Sequence, residues 1–136
     1  KVGPGGSLAP GMSIGTLTIN SDLDLSGGAV IHWEKNDTSA DKIICNSIAL
    51  GSDVTVMVHR LTGAIGMTET DTVFQCTSPP TDVPALDFTY GGGWTSGTIF
   101  IDGNDIKITG LVPEPALGVG LLIAVSFVRR RAHVVR

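Results

Sequence analysis

Apolar and polar residues alternate with a period of two along the first half of the chain. In "TLTIN" Leu17 and Ile19 share one face, and in "LDL" Leu23 and Leu25 flank Asp24. In "GGAVIHWEKN" Ala29, Ile31 and Trp33 fall on one side, and Val30, His32 and Glu34 on the other. Successive strand side chains point to opposite faces, so this pattern predicts short, half-buried strands, and no helical period fits it. Asn-Ser and Gly-Gly punctuation marks the turns between them.

The pattern then recurs. Leu17, Ile19, Asn20 and Ser21 correspond to Ile43, Cys45, Asn46 and Ser47 at a shift of 26. Leu23, Leu25, Ala29, Ile31 and Trp33 correspond to Ile48, Leu50, Val54, Val56 and Val58 at a shift of 25. A repeat of this length, built of three short strands with tight turns, predicts the coils of a β-solenoid. A single coil cannot bury its own apolar face and must stack on the next. The polar connector "NDTSAD" is expected to protrude at one corner.

The region 70–110 is less regular. "TVFQC" reads as a strand, and the prolines of "TSPPTDVP" exclude a central strand there. "FTYGGGW" is turn-like. "TIFIDGNDIKIT" predicts a hairpin, with Ile99 and Ile101 before the bend at Gly103-Asn104 and Ile106 and Ile108 after it. Such a hairpin would cover the open edge of a stack, which otherwise invites aggregation. The organisation expected is therefore a Gly/Pro-rich turn connector over 1–15, mainly β end coils over 16–110, and a distinct tail over 111–136.

Composition supports this. Gly, Thr, Ser, Val and Ile are frequent, which favours strands and turns. Residues 1–115 hold thirteen acids against five bases, a net of −8, whereas 116–136 hold four arginines and no acid. An acidic domain is a poor partner for nucleic acid, which needs Lys and Arg to replace counterions. The chain starts at Lys1 and not at Met, so it is expected to be the C-terminal piece of a longer protein, and the absence of a visible signal peptide in such a piece says nothing about export.

Cys45 and Cys76 lie in strand-like runs, with no Cys/His cluster at zinc spacing, and no metal or cofactor is expected. Export would permit a disulfide between them; the alternative is two buried thiols acting as small apolar side chains, and their inward parity favours the thiols.

"LAPGMSIGTLTINSDLDLSGGAVIHWE" followed by "DKIICNSIALGSDVTVMV" resembles the C-terminal coils of autotransporter-associated β-strand repeat proteins. The resemblance covers residues 5–60 well and 61–110 loosely, and it implies stacked strands of a right-handed parallel β-helix on a bacterial surface protein. Cys45 stands where those repeats usually carry an aliphatic residue.

Candidate chemistry is sparse. "GMSIG" matches the G-x-S-x-G nucleophile elbow around Ser13, but that elbow needs a strand before and a helix after the serine, and here glycines and prolines precede a strand. His32, His59 and His133 show no ligand spacing. Asp22/Asp24, Asp37/Asp41 and Asp102/Asp105 could serve acid/base work on glycosides, yet they lie at turns, where Asp accepts local hydrogen bonds. A weak calcium site at Asp102 to Asp105 lacks the further acids of an EF-hand loop. "NDT" at Asn36 is a glycosylation sequon by pattern alone. No catalytic residue is assigned, and an enzyme is not expected.

The tail carries more information. Pro113 and Pro115 hold Val112 and Glu114 extended, and Pro115 suits the first position of a helix. Ala116 to Val128 carry no charge, and as a helix would rise about 20 Å, short of a bilayer core of about 30 Å. Snorkelling arginines and local thinning of the bilayer narrow the gap. Arginines stay cytoplasmic, so the acidic domain is expected outside. A helix packed on the β domain should show a polar face, and only Ser126 and two glycines offer one.

Val112-Pro113-Glu114-Pro115, a short apolar helix over 116–128 and the Arg129–Arg130–Arg131 cluster together resemble the PEP-CTERM sorting signal, although "AHVVR" continues past the arginines. The resemblance implies recognition by an exosortase-type membrane processing enzyme, a transient inner-membrane intermediate with a cytoplasmic C-terminus, and an association with exopolysaccharide and biofilm. In this reading Val112 to Pro115 are the processing signal and Arg129 to Arg131 the membrane stop. The expected function is that of an exported surface or matrix structural protein. The alternatives are the end of a β-helix enzyme acting on polysaccharide, with its active site upstream of Lys1, and a surface protein anchored by one uncleaved segment.

Overall fold

A computed structural model describes residues 1–61, 67–88 and 93–115. The expected helix over 116–128 and Arg129 to Arg131 lie outside the described residues. Within them the chain is mainly β, with no helix. In chain order the strands are β1 (Gly6–Leu8), β2 (Thr16–Thr18), β3 (Leu23–Leu25), β4 (Ala29–Lys35), β5 (Lys42–Cys45), β6 (Ile48–Leu50) and β7 (Val54–Arg60). They are followed by β8 (Met67–Cys76), β9 (Ala85–Asp87), β10 (Trp94–Asp102) and β11 (Asp105–Pro113).

Three sheets form. One is all parallel, in the order β1-β4-β7-β9. A second runs β10-β11-β8-β5-β2, parallel from β2 to β8 and antiparallel beyond it. The third pairs β3 with β6 in parallel. Their registers reproduce the sequence repeat: Leu17 pairs with Ile43 at a shift of 26, then Leu23 with Ile48, Ala29 with Val54 and Trp33 with Val58 at 25. The turns stack as well, with Asn46 N–H donating to Ser21 O and Thr77 N–H to Asn46 O. Side chains a repeat apart thus stand one above another, so like residues must fill like positions.

The alternation seen in the sequence becomes a sharp division of burial. Ala29, Ile31 and Trp33 on β4 and Val54, Val56 and Val58 on β7 are buried, while their neighbours are half-exposed. Together with Leu23, Leu25, Ile43, Ile48 and Phe74 they make one core. Fully burying each large side chain contributes about 1.5–3 kcal/mol before chain entropy is counted. Gly51 is required by close backbone approach, since a Cβ there would lie 2.5 Å from Ser26 O one unit earlier.

The hairpin forms as the alternation predicts. Ile99 pairs with Ile108 and Ile101 with Ile106 across a two-residue turn, whose Gly103 has the positive φ of 62° that a type II′ turn demands at its first position. β11 lies against β8, so the hairpin covers one edge of the second sheet. Two strands fall where turns and loops were expected. β1 lies inside the Gly/Pro-rich connector, and β9 follows the proline-rich loop. Both are three residues long at opposite edges of the first sheet, where pairing with β4 or β7 suffices to order them.

Candidate functional site

The expected processing signal sits at the end of the last strand. Val112 and Pro113 are the final residues of β11, with Pro113 paired to Trp94. Val112 is 49% exposed, its carbonyl accepting from the Thr95 hydroxyl at 3.2 Å. Glu114 and Pro115 are exposed, and the Glu114 N–H donates to Gly93 O at 2.9 Å. Pro113 and Pro115 lack an N–H to donate to a ladder, and β11 ends here.

Ser13 stands in a bend between β1 and β2, with a strand after it and no helix to build an oxyanion hole. The acidic residues are engaged locally. Asp24 accepts from the Ser26 hydroxyl at 2.6 Å, from the Ser26 N–H at 3.0 Å and from Lys1 at 3.0 Å. These contacts, the Ser26 hydroxyl foremost, hold its carboxyl well below the usual carboxylate range. Asp102 pairs with Lys107 at 2.6 Å, raising the lysine's pKa, and Asp105 accepts from the Cys76 N–H at 3.4 Å. Asn36 closes a local turn by accepting from the Thr38 and Ser39 N–H groups.

Asp41 is the residue that sequence reading missed. The connector "NDTSAD" looked uniformly polar and protruding, yet Asp41 is 1% exposed. Its Oδ1 accepts from the Gly15 N–H at 2.7 Å and its Oδ2 from the Glu34 N–H at 2.9 Å. Its carbonyl accepts from Trp33 Nε1 at 2.6 Å. Burial pushes the carboxyl's pKa up, while the two N–H groups pull the other way. The side chain ties the turn before β2 to β4.

Lys35 continues the inward parity of Ala29, Ile31 and Trp33, and its fully buried amine meets Asp71 Oδ2 at 2.7 Å. Asp71 also lines an open cleft of about 490 Å³, with Gly15, Thr16, Ser39, Lys42 and Thr70 around it. Hydroxyls, one amine and one carboxylate make this cleft polar.

His32 and His59 meet on the outward face of the β4–β7 pair, with Nδ1 of one 3.0 Å from Nε2 of the other. Their planes differ by 19° and their centroids stand 5.3 Å apart, close to the N···N distance plus the two ring radii. The rings therefore lie nearly in line, edge to edge, joined by one N–H···N bond. Such a bond needs one donor and one acceptor nitrogen. The repeat register carried this signal: it sets His32 opposite Met57 and Glu34 opposite His59, one diagonal step apart. Among the described residues no group of three or more His, Cys, Asp or Glu side chains is arranged to hold a metal ion.

Compared with protein-family models, with curated proteins and with solved structures, the chain matches none of them.

Proposed function

We propose that this chain is the C-terminal part of an exported bacterial surface or matrix protein, in which end coils of a right-handed β-solenoid precede a sorting signal. The reading rests first on the resemblance of the tail to PEP-CTERM signals. The observation that carries it furthest is the exposure of Val112, Glu114 and Pro115 where β11 ends. A membrane enzyme could reach these exposed side chains while β11 stays paired with β10. A parallel pair at a spacing of 25 or 26 residues in each sheet supports the solenoid. An exosortase-type enzyme cuts within the tail after Arg129 to Arg131 have halted translocation at the inner membrane, and the acidic domain is released to the surface, where exopolysaccharide is its expected surrounding.

The chain is in this reading a substrate and a structural element. The test is the intact mass of exported protein from a host that carries an exosortase. Loss of the residues beyond the signal is expected, and replacement of Val112 to Pro115 by alanines should abolish that loss. Exported protein that keeps Arg136 would overturn the proposal.

A further inference from the structure

Cys45 and Cys76 end β5 and β8 and are direct partners in the parallel register between them. Both are free, with 3% and 7% exposure, and their sulfurs lie 3.5 Å apart. In-register neighbours on adjacent strands stand about 4.8 Å apart, inside the window of about 4.4–6.8 Å between Cα atoms that a disulfide spans. Both side chains point into the core, so closure to the covalent distance of about 2.05 Å asks for χ1 adjustment and leaves the backbone where it is. In the preceding unit the corresponding position is the aliphatic Ile19. Two small thiols thus stand in a column where an aliphatic pair would bury more surface, and a covalent link would supply what packing there does not.

We infer that Cys45 and Cys76 are joined as an intrachain disulfide when the chain matures in an oxidising compartment. Where the bond falls explains its use. β8 is the strand at which parallel stacking from β2 and β5 gives way to the antiparallel hairpin of β10 and β11. A link from β5 to β8 fastens that last, irregular passage to the regular units. One thiol donates to the other sulfur across this 3.5 Å contact. Either cysteine, as its thiolate, can open the exchange. That thiolate displaces one thiol of an exchangeable disulfide on a dithiol–disulfide oxidoreductase, and the other cysteine then attacks the first one's sulfur in the mixed disulfide and expels the second thiol. The two cysteines lose two protons and two electrons, and the oxidant's disulfide gains them as a dithiol. Because both sulfurs are buried in the folded chain, the exchange occurs before β8 closes or during its transient opening.

The compartment rests on the export reading, whereas the pairing does not, and the experiment separates them. The purified full chain is refolded in an oxidising glutathione buffer, denatured without reductant, treated with a maleimide and weighed. A monomer lighter by two hydrogen atoms and carrying no maleimide is expected, and prior reduction should restore two reactive thiols. Cys45→Ala and Cys76→Ala should each leave one. Two free thiols after oxidation, glutathione adducts on both cysteines, or disulfide-linked dimers would each overturn the pairing. Failure of C-terminal processing in the host would leave this result unaffected.

Discussion

Replacing Asp41 with alanine removes the acceptor for two backbone N–H groups at once, those of Gly15 and Glu34. Hydrogen bonds to a charged group contribute about 1.5–3 kcal/mol each, and the alanine leaves both donors without it. Relief from holding a carboxylate in a site 1% exposed offsets part of this loss. The net cost expected is about 3 kcal/mol, a large share of a total stability of about 5–15 kcal/mol. Urea unfolding measures it: with a slope of about 1–2 kcal/mol per molar, the midpoint should fall by about 1.5–3 M. Trp33, whose Nε1 donates to Asp41 O, provides a fluorescence reporter within the altered site. The pH dependence gives a second check. Since the folded-state carboxyl lies above its unfolded value of 3.8, the folded chain holds this proton more tightly. Asp41 therefore contributes most at low pH, and its contribution declines as pH rises through the folded value. The alanine penalty should deepen as pH falls towards 3.8. A penalty below about 1 kcal/mol, or one that shrinks on acidification, would refute the assignment of Asp41 as a buried clamp.

Two further substitutions probe the stacked turns. Gly51→Ala places a Cβ 2.5 Å from Ser26 O, a backbone atom that cannot swing away, and should lower stability by about 1–3 kcal/mol in thermal unfolding. An unchanged melting temperature would show that the turns of successive units are not in contact. Asp24→Asn should act in the opposite pH sense to Asp41. The folded-state carboxyl of Asp24 lies below its unfolded value of 3.8, so its contribution is complete above that value and fades as pH falls. The stability difference between the native chain and Asp24→Asn should thus vanish in acid, and a difference that grew there would count against the Ser26 and Lys1 contacts.

Residues 16–60 were legible because two constraints coincide there. Period-two alternation marks the inward face, and the shift of 25 or 26 marks which inward residues stack, so Ile31 over Val56 can be read off the chain. Beyond Arg60 the second constraint lapses. Ile43 pairs with Phe74 at a shift of 31 and Thr55 with Ala85 at 30, so no repeat of fixed length reaches that far. β9 escaped notice for this reason and because its three residues include no fully buried one. Asp41 escaped for a different reason. In a run of small polar residues, composition does not say which carboxylate turns inward, and that is decided by where unpaired N–H groups wait in three dimensions. The meeting of His32 and His59 follows from the register once the register is trusted.

β8 accepts a parallel neighbour on one edge and an antiparallel one on the other, which gives the β domain a direction. A further copy of the 25-residue unit inserted among the first strands would move the older ones outward by one strand spacing, about 4.8 Å. It would leave the hairpin, the cysteine pair and the exit of the tail unaltered. In the proposed solenoid, reach would therefore change in discrete steps, at about five residues per ångström, while the hairpin end stays the same.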